Sequence, residues 1–125
     1  VCVHSEFCGK GVALEHNGDA YSCDHYVYSE YRLGNVRECS LGKMVFSPDQ
    51  VRFGYAKSET LPSYCKQCAF VKDCWGECPK NRLLRTPDGE PGLSYLCSGL
   101  KRYYSHAVPI ARKMADRIRT GAVTA

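Results

Sequence analysis

Four cysteines within fourteen residues constrain this chain more than any other feature: Cys65-Lys66-Gln67-Cys68, then Cys74-Trp75-Gly76-Glu77-Cys78. Their spacing is C-x2-C-x5-C-x3-C. A disulfide gains most by closing a long loop, so oxidised scaffolds spread their cysteines along the chain. Ligands of a single metal centre must meet at a point, so metal sites crowd them. Thiolates are soft donors that select zinc, copper(I) or iron–sulfur centres. The density predicts a metal-binding domain whose local backbone bends to suit ligation.

The chain has nine cysteines among 125 residues. Nine is odd, so a wholly disulfide scheme strands one thiol, whereas eight divides into two four-thiolate sites with Cys39 left over. This length suits one domain with a modest core. There is no long apolar run and no charged-then-apolar leader, so neither a membrane span nor a signal peptide is expected. Thiolates kept for metal fit a reducing, cytoplasmic compartment. The chain starts at Val1-Cys2, one residue before a candidate ligand, and reads as a fragment of something larger. Net charge is +4, with Lys and Arg concentrated in the last third, from Lys80, Arg82 and Arg85 to Arg117 and Arg119. These read as a solvated helix face plus counter-charge for anionic thiolate clusters. A nucleic-acid surface needs a basic stripe with exposed aromatics. Tyr103 and Tyr104 beside Arg102 hint at one only faintly, and no nucleic-acid partner is expected.

Cys2 and Cys8 come first, followed by Gly9 and Gly11. Asn17-Gly18 lies between two short runs and predicts a hairpin with a type I′ turn. Folding about it carries Cys23 back toward Cys8, so three cysteines converge by local geometry. Tyr26, Tyr28 and Tyr31 follow, then Leu33-Gly34-Asn35-Val36 as a short strand or turn. Ser47-Pro48-Asp49-Gln50 is a helix start with cap and first-turn proline, and the helix should stop before Pro62. The cysteine-dense segment should form loops and single helical turns. Residues 85–92 read as an exposed turn-rich loop. Cys97 then opens a long terminal helix on which Leu100, Tyr103, Tyr104, Ala107, Ile110, Ala111, Met114 and Ile118 recur at helical spacing. Pro109 should kink or split it, and residues after Thr120 should fray. The fold class expected is a small, irregular α+β unit: one β-hairpin, cluster-binding loops and two or three helices.

Spacing alone leaves the sharing of thiols open. Cys65, Cys68, Cys74 and Cys78 could hold one centre, with Cys2, Cys8, Cys23 and Cys97 holding another. Equally, one ligand could cross over, as in two-cluster ferredoxins. Structural zinc sites usually pair two C-x2-C knuckles. Only one knuckle occurs here, so zinc in a peptide-binding module without redox role is the alternative to iron–sulfur.

This cysteine pattern, with C-x5-C before it, a cysteine after the Asn-Gly hairpin and a distal Cys97, resembles the SPASM domain, the C-terminal extension of certain radical S-adenosylmethionine enzymes. The run Cys23-Asp24-His25-Tyr26-Val27-Tyr28-Ser29-Glu30-Tyr31-Arg32-Leu33-Gly34-Asn35 is similar to the anaerobic sulfatase-maturating members, also called arylsulfatase regulators. The resemblance implies two auxiliary 4Fe–4S clusters over residues 1–119, with 120–125 a frayed tail. The first cluster would use Cys2, Cys8, Cys23 and Cys78; the second would use Cys65, Cys68, Cys74 and Cys97. Cys39 matches no ligand position and reads as a small buried hydrophobe. Aerobically produced protein could carry zinc instead.

In that family a 5′-deoxyadenosyl radical removes a β-hydrogen from a sulfatase Cys or Ser, a base takes the side-chain proton, and one electron leaves through the clusters. Cα-formylglycine results. The implied base is Asp24, whose pKa an anionic cluster should raise. His25 reads as a hydrogen-bond donor beside the ligands, and the tyrosines read as packing. The radical enzymes also carry C-x3-C-x2-C and a partial barrel that binds S-adenosylmethionine. Neither is found here, so this chain alone should not turn over. The implied partners are a sulfatase polypeptide and an N-terminal radical domain of the same protein. SPASM domains of other peptide-modifying enzymes remain a sibling reading.

Overall fold

The structure, a computed structural model, describes residues 2–9 and 11–121. The hairpin forms where Asn17-Gly18 predicts it: β1 (Ala13–Leu14) pairs antiparallel with β2 (Asp19–Tyr21), Leu14 opposite Ala20. Its turn is not type I′. That turn needs positive φ at both central residues, but only Trp75 and Glu77 show it among the described non-glycine residues. Gly18 alone is left-handed, at φ +91°. Its N–H donates to Glu15 O at 2.9 Å, and Glu15 N–H donates to Asp19 O at 2.9 Å, which makes a three-residue loop closed by a glycine bulge. The Asn17 side chain selects this form. Its Oδ1 accepts the Asp19 N–H and its Nδ2 donates to Asp19 Oδ2, a local bond pattern that suits Asn in turns.

A third strand, β3 (Arg32–Asn35), joins the free edge of β2 and makes a three-stranded antiparallel sheet. Asp19 pins it: Oδ1 accepts Arg32 Nη2 at 2.6 Å and Asn35 Nδ2 at 3.0 Å. Those bonds, Arg32 first, hold the Asp19 carboxyl down at about 2.

After α1 (Leu41–Val45), a helix that sequence reading missed, comes α2 (Pro48–Glu59). Ser47 Oγ accepts the Gln50 N–H and Pro48 sits in the first turn, as the sequence predicts. The dense segment forms two single-turn helices, α3 (Ser63–Lys66) and α4 (Val71–Cys74). Residues 85–92 are not simply an exposed loop. Strands β4 (Leu84–Arg85) and β5 (Pro91–Leu93) pair antiparallel around them. Buried Thr86 closes the turn by donating Oγ1–H to Glu90 O and accepting the Glu90 N–H.

The terminal helix α5 (Cys97–Arg119) runs through Pro109 without being split. Tyr104 is the one residue of its apolar stripe that is fully buried; Ile110, Met114 and Ile118 face solvent. Packing therefore anchors only its first half. The helix ends at Arg119, and the expected fraying falls mainly on residues 122–125, outside the described residues. Among the described residues the buried apolar side chains are few, chiefly Ala20, Met44, Leu61, Cys78 and Tyr104. No helix among them is long and apolar enough to cross a membrane. The architecture is the small α+β unit expected, with the β4–β5 hairpin and helix α1 added to what the sequence shows.

Candidate metal centre

Eight of the nine thiols line two cavities. Cys65, Cys68, Cys74 and Cys97 face one, which has about 430 Å³ free of protein atoms, counting the part open to solvent. Cys2, Cys8, Cys23 and Cys78 face the other, about 640 Å³ on the same measure, together with Asp24 and His25. Cys39 belongs to neither. It is half-buried rather than buried, and its thiol donates to Ser40 O at 3.7 Å.

Local backbone explains how Cys74 and Cys78, four residues apart, reach different cavities. Cys74 ends α4, and then Trp75 (φ 48°), Gly76 (φ 66°) and Glu77 (φ 58°) are all left-handed. Three such residues in succession reverse the chain and deliver Cys78 to the far side. The conformation costs about 1–2 kcal/mol at each non-glycine residue, so the surroundings must impose it. Arg82 donates to Trp75 O at 2.8 Å and to Gly76 O at 3.1 Å. Asn81 Nδ2 lies 2.9 and 2.8 Å from the two oxygens of buried Glu77.

The other quartet hangs on α2. Its buried residues are Gln50, Gly54 and Lys57, one face at i, i+4 and i+7. Gln50 Nε2 donates to Ser22 O at 3.1 Å, beside Cys23, and to Gly9 O at 3.5 Å. Gly54 O accepts the Cys8 N–H at 3.0 Å, and a Cβ on Gly54 would stand 3.1 Å from Cys8 O. Lys57, only 1% exposed, donates to the carbonyls of Cys2 (2.6 Å), Val3 (3.0 Å) and Ser5 (2.5 Å). Sequence reasoning missed all three. A search for apolar periodicity passes over a helix face made of Gln, Gly and Lys. Arg82, read from the sequence among residues that are either solvated or counter-charge for thiolate clusters, turns inward onto backbone carbonyls.

His25 spans two thiols, its N–H 3.5 Å from Cys23 Sγ and its Nδ1 3.4 Å from Cys78 Sγ. The Cys23 thiol donates to Asp24 Oδ1 at 3.1 Å. That bond holds the exposed Asp24 carboxyl below its ordinary value, opposite to the rise expected from the sequence. The physical reason is the proton on Cys23: a thiol donates to the carboxylate, whereas a thiolate has nothing to donate and repels it. Tyr26, Tyr31 and Phe53 pack edge to face, with ring centroids 4.8–5.7 Å apart. Burial pushes Tyr26 up to about 12, so it stays neutral.

Burial pushes Cys23 and Cys65 up to about 11, and raises Cys8, Cys74, Cys78 and Cys97 as well. These thiols keep their protons until a cation displaces them. Four soft donors per cavity, with no carboxylate lining the Cys65 cavity among the described residues, suit a thiolate-held centre.

Fold and site thus define a small cysteine-rich metal-binding domain with two separate four-thiol cavities. The chain belongs to the SPASM family, an iron-sulfur cluster-binding domain, which residues 2–69 match, more than half of its length. It is 50% identical over 109 residues to a serine-type anaerobic sulfatase-maturating enzyme of Bacteroides thetaiotaomicron, covering 87% of this chain and 26% of that one. A serine-type enzyme of Klebsiella pneumoniae is 36% identical over 104 residues (83% and 24% covered), and a cysteine-type enzyme of Clostridium perfringens 28% over 118 (94% and 31%). Among solved structures, native anSMEcpe with bound AdoMet and the Kp18Cys peptide superposes with a TM-score of 0.76 at 26% identity, covering 94% of this chain and 32% of that one. The chain spans about a quarter to a third of the length of these relatives.

Proposed function

We propose that this chain is the auxiliary-cluster domain of a radical S-adenosylmethionine enzyme that oxidises a sulfatase side chain to Cα-formylglycine, with residues 1–119 as that domain. The observation that carries it is the sorting of eight thiols into two cavities, in a chain half identical to a serine-type sulfatase-maturating enzyme. Cys2, Cys8, Cys23 and Cys78 would hold one 4Fe–4S cluster; Cys65, Cys68, Cys74 and Cys97 would hold the other. When bound, the clusters supply an acceptor for one electron. Asp24, exposed at the rim of its cavity, takes the proton from the substrate's hydroxyl or thiol at a carboxylate oxygen. His25 orients the Cys23 and Cys78 sulfurs. The greater identity to serine-type than to cysteine-type relatives favours a serine target.

Iron, sulfide and the visible spectrum of protein reconstituted without oxygen test the ligand sets. Two clusters are expected, with Cys23→Ala and Cys97→Ala each losing one cluster's iron. A colourless protein with stoichiometric zinc that iron does not replace would refute them. Activity is tested in the intact enzyme on a sulfatase-derived serine peptide. Asp24→Asn should abolish formylglycine while sparing both clusters; undiminished turnover would remove Asp24 from the mechanism.

A further inference from the structure

Arg82 is fixed from two sides, on the loop that joins Cys74 of one cavity to Cys78 of the other and on the end of α2. Toward the Cys65 cavity its Nη2 and Nε donate to Trp75 O (2.8 Å) and Gly76 O (3.1 Å), on the loop that separates Cys74 from Cys78. A Cβ on Gly76 would stand 2.9 Å from Nη2, so the guanidinium is pressed against that backbone. Toward α2 its Nη1 donates to Thr60 Oγ1 at 3.3 Å. No carboxylate pairs with it among the described residues. Its charge reaches Cys65 and Cys74 on one side and Cys8 on the other. A half-buried cation with only neutral partners is expensive unless something anionic is near, and neutral thiols do not fill that role.

We propose that Arg82 is an electrostatic positioning residue, a permanent positive charge held on the loop that joins the two cluster sites, where it makes both clusters easier to reduce. The physical ground is simple. Two anionic clusters in one small domain repel added electrons, and a fixed cation that acts on both lowers the energy of each reduced form. Arg suits the task because its charge does not titrate and its planar fork satisfies two carbonyls while acting on both sites. Lys57 adds its charge on one side only, where it bonds the carbonyls of Cys2, Val3 and Ser5 and acts on Cys8 more strongly than Arg82 does; Arg82 acts on Cys65 and Cys74 as well.

The inference rests on the ligand sets proposed above, and the test separates the two. Iron and sulfide in the intact parent protein decide the sets; potentials decide the role of Arg82. Arg82→Gln removes the charge but keeps an amide that can donate to the loop carbonyls, and Arg82→Lys keeps the charge but loses the fork. Midpoint potentials of both auxiliary clusters are read by redox titration with paramagnetic resonance. In Arg82→Gln both should fall, by about a tenfold change in each one-electron reduction equilibrium, or about 59 mV. In Arg82→Lys both should stay near the parent. Iron kept only by Arg82→Lys, at parental potentials, would also support the role of the charge. Unmoved potentials in Arg82→Gln, movement of one cluster alone, or loss of iron in both variants would overturn the proposal. A parent without two clusters would overturn it together with the ligand sets.

Discussion

Lys57→Met isolates the device that carries the N-terminal cysteine. The side chain is among the most buried in the domain, yet its ammonium ends on three carbonyls of the segment 2–5. A hydrogen bond to a charged group contributes about 1.5–3 kcal/mol, so the three together gross about 5–9 kcal/mol by that figure. Most of this is not net. Cys2 and Ser5 are exposed, so their carbonyls regain water in the variant. The ammonium also no longer bears its desolvation, the burial that already holds Lys57 below its ordinary pKa. Methionine keeps much of the packing volume. A net loss of about 2–4 kcal/mol is the result, large against the roughly 5–15 kcal/mol typical of a domain.

The loss should fall first on the N-terminal quartet. Cys2 sits on the anchored segment itself, whereas the other quartet meets that segment only through α4, which packs against residues 2–4, and through Tyr104, whose hydroxyl bonds His4. Two readouts on protein handled without oxygen check this: denaturant unfolding, and iron per chain at graded chelator concentrations. The variant should unfold at lower denaturant, and the iron assigned to Cys2, Cys8, Cys23 and Cys78 should leave first, with the other set following at higher chelator. A stability change within about 0.5 kcal/mol, the range of ordinary surface substitutions, with chelator resistance unaltered, would refute the reasoning.

Three further outcomes follow from the same geometry. Gly76→Ala combines a left-handed φ of 66° with a Cβ driven into Leu61 Cδ2 and against Arg82; strain and overpacking should together cost about 2–5 kcal/mol, and unchanged thermal unfolding would contradict the reversal at residues 75–77. Asp19 has its folded pKa held at about 2, below the ordinary carboxyl value of 3.8, so its contribution is present above that value and lost as pH falls toward 2; amide exchange of β2 and β3 should quicken over that window, and Asp19→Asn should flatten the dependence. Cys23 and Cys65, raised to about 11 from 9.0, favour the fold while protonated, so the metal-free protein should lose stability as pH rises from 9 to 11. The metal-loaded protein should not, because its thiols have already released their protons; equal alkaline sensitivity of both forms, followed by circular dichroism, would contradict thiolate ligation.

What the sequence discloses and what it hides divide along a physical line. Signals confined to a few adjacent residues are legible. Ser47 and Pro48 start α2 because cap and first-turn geometry are local; Asn17-Gly18 makes a turn for the same reason, though the Asn17–Asp19 bonds choose a different one. The density of Cys65 to Cys78 announces single turns and loops. Convergence is another matter. Nothing in the spacing of Cys74 and Cys78 says that they face different cavities. The reversal is enforced by Arg82 and Asn81, further along the chain, and by carbonyls whose direction no composition encodes. The same holds for Gln50, Gly54 and Lys57, whose partners are backbone groups 28 to 55 residues away. A small domain with few buried apolar side chains uses polar groups for its interior wiring, and a search for hydrophobic stripes overlooks them. That wiring also limits where the thiols can go. Each quartet is tied by buried side chains to a backbone it cannot leave, so preorganisation of the two cavities comes from α2 and the 75–82 segment rather than from an apolar core.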